Sequence, residues 1–100
     1  MSVNMKMIQQ MQARLEEMQR ELAETIVEGS AGGGVVMAQV TGAREFHSIK
    51  IDPSAVDPED VEVLEDLITV AIQDAMHRAT ALAEEKMGAL TGGMRIPGLM

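Results

Sequence analysis

Three consecutive glycines, Gly32, Gly33 and Gly34, constrain the fold of this chain more than any other feature, because they stand between two apolar stretches. A phosphate-binding loop would lead into a helix and would carry a lysine and a serine or threonine. Here residues 35–41 are rich in β-branched side chains, as is typical of a strand, and the first lysine after the glycines is Lys50. Because glycine adopts positive φ at little cost, the run predicts a tight turn between antiparallel strands and not a nucleotide site.

The segment before the glycines predicts a helix from about residue 4 to residue 24, since it consists of good helix formers without glycine or proline. Apolar side chains recur there at steps of three and four residues, which is typical of the narrow seam between two packed helices. This apolar stripe consists of Ile8, Met11, Leu15, Met18 and Leu22.

Short strands are predicted at residues 26–30, 35–41 and 46–51, and a second turn begins at Gly42 and Ala43. Short connections favour pairing of consecutive strands, so we expect an antiparallel meander. The predicted fold class is therefore α+β: a helix, a three-stranded antiparallel meander and a long helix, together forming one domain over residues 1–88.

The long second helix is predicted from about residue 58 to residue 88, with Asp57 as its N-cap and Pro58 as its first residue. Its apolar residues fall on two sides, so one side can cover the sheet while the other needs a different cover, for which a partner subunit is the simplest candidate. Small residues on the first side would permit close approach of a helix. The first side contains Val61, Leu64, Ile68, Ala71, Ile72, Ala75, Ala79 and Leu82, and the second contains Val63, Leu67 and Val70.

Both helices are too long for the sheet. A helix of about 21 residues measures roughly 30 Å and one of about 30 residues roughly 45 Å, whereas a six-residue strand covers only roughly 20 Å. The start of the first helix and the end of the second should therefore overhang the sheet and, if packed antiparallel, form an arm. Residues 89–100 are expected to be a flexible tail, because they contain two glycine-containing pairs, at residues 92–93 and 97–98.

The charge distribution sets the two ends of the chain apart from its middle. The net charge is −8, yet all 16 carboxylates lie between Glu16 and Glu85. Lys6 and Arg14 precede that interval, and Lys86 and Arg95 follow it. The predicted arm would thus carry a basic tip on an otherwise acidic protein.

Several function classes are excluded or disfavoured by the composition. The chain has no cysteine for disulfides or thiolate metal sites, and no apolar run approaches the roughly 20 residues of a membrane span. The N-terminus has no signal-peptide pattern, which favours a cytoplasmic location. A single aromatic residue, Phe46, argues against base stacking as a mode of nucleic-acid binding.

Catalysis and metal binding are also disfavoured. His47 alternates with Ile49 and Ile51, so we expect a partly buried histidine, and His77 is too remote in sequence to suggest a metal pair. No serine or threonine lies in a nucleophile motif. We predict no catalytic residue, no metal, no cofactor and no small-molecule substrate.

The order of elements and several motifs resemble the YbaB/EbfC family of bacterial nucleoid-associated proteins. The resemblance spans almost the whole chain, and its most specific part is the combination of I-K-I-D-P at residues 49–53 with L-E-D-L-I at residues 64–68. Further similar residues are Lys6-Met7, Gln9-Gln10-Met11-Gln12, Gly34-Val35-Val36, Ala71, Asp74-Ala75, Gly92-Gly93 and Pro97-Gly98.

The resemblance implies a homodimer with tweezer-like helical arms that binds double-stranded DNA in the nucleoid and has no enzymatic activity. Carried over by position, the implied DNA-binding residues are Lys6, Gln9, Gln10, Arg14, Lys86 and Arg95. Sequence preference should be weak, because phosphate contacts carry no base information.

Two other functions remain open from the residues alone. Ten methionines, several of them in the first helix, are typical of adaptable surfaces that bind hydrophobic partners, so a protein-interaction or scaffold module is the main alternative. Membrane-surface binding by the first helix is the other, but four glutamates between Glu16 and Glu24 oppose it.

Overall fold

The structure is a computed structural model that describes residues 4–90. Its elements are helix α1 (Met5–Glu24), strands β1 (Ile26–Ala31), β2 (Val36–Thr41) and β3 (Phe46–Ile51), and helix α2 (Val61–Leu90). A single 3-10 turn, Pro53–Ala55, follows β3. The α+β class and the order of elements predicted from the sequence are confirmed.

The three strands form one antiparallel sheet in the order β1-β2-β3, as expected for a meander. The glycine run is a hairpin turn, because φ is +63° at Gly32, +74° at Gly33 and +99° at Gly34. The Gly34 N–H closes the turn by donating to the Ala31 carbonyl at 3.2 Å. This confirms the turn predicted in place of a phosphate-binding loop.

The prediction of a partly buried His47 is wrong. The register of β3 shifts beside Gln39 and Val40, so that Val40 pairs with Phe46 and Gln39 pairs with Ser48. His47 is therefore an extra residue in the ladder, and its side chain is exposed. A bulge breaks the two-residue alternation on which the expectation rested.

Helix α2 covers one face of the sheet. At the centre of the core, three fully buried alanines of α2, Ala71, Ala75 and Ala79, pack against Val36, Ala38 and Val40 of the central strand. From the sequence we expect these small residues to permit the close approach of a helix, but the element that approaches them is strand β1. The sheet lies close to the helix there because β1 carries glycine at position 29.

Helix α2 begins three residues later than predicted. The Asp57 carboxylate accepts the Glu59 N–H at 3.0 Å, and the Asp57 carbonyl accepts the Asp60 N–H at 2.9 Å. These bonds close a separate turn over residues 57–60, so Asp57 caps that turn and α2 starts at Val61. The helix is described up to Leu90, two residues past the expected end, and the rest of the expected tail, residues 91–100, lies outside the described residues.

The molecule is elongated, with principal extents of 68 × 24 × 16 Å and a radius of gyration of 18.5 Å. A compact domain of this length has a radius of gyration of about 13 Å. Helix α1 accounts for much of the difference, because only its C-terminal part, around the buried Leu22, packs against the sheet. Every residue from 4 to 14 is exposed, so the first half of α1 projects from the body.

None of the helices within residues 4–90 combines the length and the apolar character that a membrane span requires.

Candidate nucleic-acid interface

Four of the predicted DNA-binding residues lie on the projecting half of α1. Lys6, Gln10 and Arg14 follow one another at steps of four residues, and Gln9 is adjacent to Lys6 at a step of three. Residues at these steps are neighbours on a helix surface, and the row from Lys6 to Arg14 is about 12 Å long. All four side chains are exposed. The helix thus presents one continuous row of long cationic and amide donors.

The start of α1 is fixed by its N-cap. The Asn4 side-chain oxygen accepts the Lys6 N–H at 2.9 Å, which satisfies one of the free N–H groups at the helix end. The first turn carries no acidic residue, and the first carboxylate along α1 is Glu16. The positive end of the helix dipole and Lys6 therefore act together at the projecting end, without an acidic side chain in the first turn to oppose them.

Lys86 does not lie at an exposed tip but beside helix α1, in a groove between the two helices. Its Nζ atom is 3.5 Å from Glu21 Oε2 on α1, and its side chain is only 33% exposed. Together with Arg14, Glu17 and Met18 it lines a groove of about 350 Å³ between the base of α1 and the end of α2. The structure therefore brings Lys86 into the same groove as Arg14, with a carboxylate as its partner. Arg95 lies outside the described residues.

Other cations on the body are offset by acidic neighbours. The Arg78 Nε atom donates to the Asp74 carboxylate at 3.2 and 3.3 Å, one turn away on α2. Arg20 is exposed on α1, but it has Glu16, Glu17 and Glu24 at steps of three and four residues. Neither arginine is among the residues that the family resemblance implies for DNA binding.

The Asp74 carboxylate also connects α2 to the edge of the sheet. Its Oδ2 atom accepts the Ser30 N–H at 3.0 Å, and this hydrogen bond is the main reason why the pKa of Asp74 is lowered. The Arg78 guanidinium contributes in the same direction. Strand β1 is an edge strand, so Asp74 occupies a backbone donor that would otherwise be open to another strand.

The apolar stripe of α1 changes from buried to exposed along the helix. Leu22 at the base is 6% exposed, Leu15 and Met18 are half-buried, and Met11 and Ile8 near the tip are 44% and 40% exposed. A helix with one apolar side needs a cover for that side. Within residues 4–90, no element of the same chain covers the part of the stripe on the N-terminal side of Leu15.

The remaining polar clusters offer no chemistry of their own. On the open face of the sheet, Gln39 donates to Glu28 at 3.1 Å and accepts from the Ser48 hydroxyl at 2.9 Å, so the three side chains satisfy one another. No group of three or more histidine, aspartate or glutamate side chains in the described part of the chain is arranged to hold a metal.

The outer half of α1 carries cations and amides but no carboxylate, an arrangement suited to an anionic ligand. The chain belongs to the YbaB/EbfC DNA-binding family, whose family model matches residues 1–94. This confirms the resemblance drawn from the sequence. The family is one of DNA-binding proteins and not of enzymes.

Relatives agree with this assignment, and a solved structure shares the fold. A nucleoid-associated protein of Chloroflexus aurantiacus is 55% identical over 91 residues, which cover 91% of this chain and 91% of the relative. A nucleoid-associated protein of Moorella thermoacetica is 49% identical over 96 residues, covering 93% of this chain and 92% of the relative. The crystal structure of an uncharacterized protein from Helicobacter pylori has the same fold, with a TM-score of 0.77 over 91% of this chain and 100% of that one at 19% identity.

Proposed function

We propose that this protein is a dimeric nucleoid-associated protein that binds duplex DNA mainly through phosphate contacts from helical arms. The observation that carries the proposal is the row of Lys6, Gln10 and Arg14 on the projecting, carboxylate-free half of α1. Family membership supplies the ligand class, and the relatives named nucleoid-associated proteins supply the cellular setting. The protein would act at the nucleoid, in the cytoplasm.

Weak sequence preference follows from the kind of side chain at the tip. Lysine and arginine on a solvent-exposed helix neutralise phosphates, and such contacts position a protein without reading bases. Gln9 and Gln10 can donate to phosphate or sugar oxygens beside the two cations. The acidic body, with its first carboxylate at Glu16, would confine DNA to the outer half of the arm.

A homodimer is supported by the exposed apolar surface. Ile8 and Met11 on α1 are 40% and 44% exposed, and Val63 and Val70 on the second apolar side of α2 are 48% and 51% exposed. Packing against a second copy would remove such surface from water, which stabilises association. Two copies would also present two basic arms to one duplex, giving a tweezer-like arrangement.

The test is binding of a roughly 30-bp duplex, followed by fluorescence anisotropy, with a charge-reversed arm variant, Lys6→Glu/Arg14→Glu. The matched control is Arg44→Glu/Lys50→Glu, which makes the same charge change at exposed positions in the β2–β3 turn and on strand β3. We expect the arm variant to lose binding and the control to keep most of it, with dimer mass and circular dichroism unchanged in both. Equal loss in the two variants would contradict the arm as the binding surface.

The alternative is a methionine-rich protein-interaction module, and one observation favours it. Met5 and Met7 at the tip are 68% and 64% exposed, and methionine adapts to varied hydrophobic partners. This function would be insensitive to salt and would be lost in Met5→Ser/Met7→Ser, whereas DNA binding by the cationic row would persist in that variant.

A further inference from the structure

Among residues 4–90, a single ion pair joins the two helices of the arm, between Glu21 on α1 and Lys86 on α2. The Lys86 Nζ and Glu21 Oε2 atoms are 3.5 Å apart across the groove that Arg14 also lines. Arg14 belongs to the cationic row, so this pair lies where the row meets the body. Of the cations that form an ion pair with a carboxylate, Lys86 is the one that shares a groove with a residue of the row.

The pair is open enough to be exchanged. The Glu21 side chain is 55% exposed and that of Lys86 is 33% exposed, so water and ions reach both groups. Ion pairs in such positions contribute little to stability, because solvent and salt screen them. A DNA phosphate that reached Lys86 would replace one anionic partner by another, and it would release a condensed counterion from the DNA.

We propose that Glu21 acts as an autoinhibitory carboxylate, which retains Lys86 at the base of the arm until a DNA phosphate displaces it. The inference rests on the proposed DNA-binding function and concerns the same interface. It makes Lys86 a reserve contact that is used only after the Glu21 ion pair opens. Glu21 then lowers the affinity for DNA, because it competes with phosphate for Lys86. The composition of the cationic row alone would not reveal this competition.

The proposal predicts that the effect of removing the Glu21 carboxylate on DNA affinity depends on Lys86. Removing any glutamate raises DNA affinity slightly, because the general repulsion falls. Removing Glu21 should raise it further, but only when a lysine is present at position 86 to be released. Glu17 lines the same groove and could accept Lys86 once Glu21 is neutral, so both carboxylates must be neutralised in the test.

The experiment is a double-variant cycle on duplex binding by the full chain. The groove variant is Glu17→Gln/Glu21→Gln, and its matched control is Glu84→Gln/Glu85→Gln. The control makes the same charge change on α2, at exposed positions that do not line the groove and that have no cation one turn away. Each is measured with Lys86 and with Lys86→Gln. Thermal unfolding confirms that all forms are folded to the same extent.

With Lys86 present, we expect the groove variant to bind on the order of fivefold more tightly than the control variant at about 0.1 M salt. The slope of log affinity against log salt should steepen by about 1 for each additional phosphate that the protein neutralises. In the Lys86→Gln background the two variants should bind equally. Equal increases in affinity in both backgrounds, or a groove variant no better than the control, would overturn the inference. Failure of the wild-type protein to bind DNA at any salt concentration would instead overturn the proposed function.

Discussion

Gly29 of strand β1 lies against the backbone of Ala71 in helix α2, where a Cβ atom at position 29 would come within 2.6 Å of the Ala71 carbonyl oxygen. The backbone N of Ala75, on the next turn, would be closer still. Glycine on the strand and alanine on the helix thus meet without side chains between them. This close approach fixes the distance between α2 and the sheet.

Substitution of that glycine should separate the two layers. We expect Gly29→Ala to lower the free energy of unfolding by about 3 kcal/mol, because the added methyl group forces α2 away from β1. Chemical denaturation measures this change. The matched control is Gly88→Ala in α2, where nothing lies within 4 Å of the added Cβ, and we expect that substitution to raise stability by about 0.5 to 1 kcal/mol through helix propensity. Equal stability of Gly29→Ala and wild type would contradict the packing account.

Substitutions in the glycine hairpin should destabilise the fold through their backbone conformation and not through steric clashes. Gly33 has φ of +74°, and nothing lies within 4 Å of a Cβ built there. Gly33→Ala should therefore cost about 1 kcal/mol through backbone strain alone, and Gly33→Asn should cost less because asparagine tolerates the left-handed region. Thermal or denaturant unfolding of the two variants gives the comparison. A larger cost for asparagine than for alanine would indicate a steric cause and contradict this expectation.

The Asp74 carboxylate should make stability depend on pH. Its pKa in the folded state is lowered below 3.8, first by the Ser30 N–H and then by Arg78. A lowered pKa means that the charged group stabilises the fold above about pH 4 and that this contribution is lost as the pH falls through the folded-state pKa. We expect Asp74→Asn to be less stable than wild type at pH 7 and to approach it in acid. A stability difference that stays constant from pH 7 to pH 3 would refute this role of Asp74.

The apolar stripe of α1 should support the dimer and not the fold of the single chain. If the proposed dimer buries this stripe, Ile8→Ser/Met11→Ser should weaken dimerisation by about tenfold or more, because the two half-exposed side chains would lose apolar packing against the partner. Sedimentation equilibrium measures the dissociation constant. Ala13→Ser, exposed on the other side of the helix, is the control and should leave the constant unchanged. If the stripe variant dimerises as tightly as the control, the second copy contacts a different surface.

The elements that depend on local chemistry could be predicted from the sequence. The hairpin at Gly32 could be predicted from the residues alone, because a run of glycines suits positive φ. The residues from Lys6 to Arg14 came from the family resemblance, and the predicted helix placed them on one element. The exposure of His47 could not be predicted, because the register shift beside Val40 depends on pairing between strands.

Long-range contacts could not be predicted from the sequence for a related reason. The Lys86–Glu21 pair joins residues from opposite ends of the chain, so no periodicity or composition reveals it. Charge distribution alone presented Lys86 as a free tip residue. The start of α2 was missed for a local reason, since Asp57 has the side chain of an N-cap but caps a separate turn of its own.

The most direct test of the account is the salt dependence of duplex binding for wild type and Lys6→Gln, with Lys50→Gln as the control on the sheet. The slope of log affinity against log salt reports the number of phosphate charges neutralised. If a dimer contacts DNA through both arms, Lys6→Gln should reduce the magnitude of the slope by about 2, and Lys50→Gln should leave it unchanged. A wild-type slope near zero, or a slope unaffected by Lys6→Gln, would contradict phosphate binding by the arm.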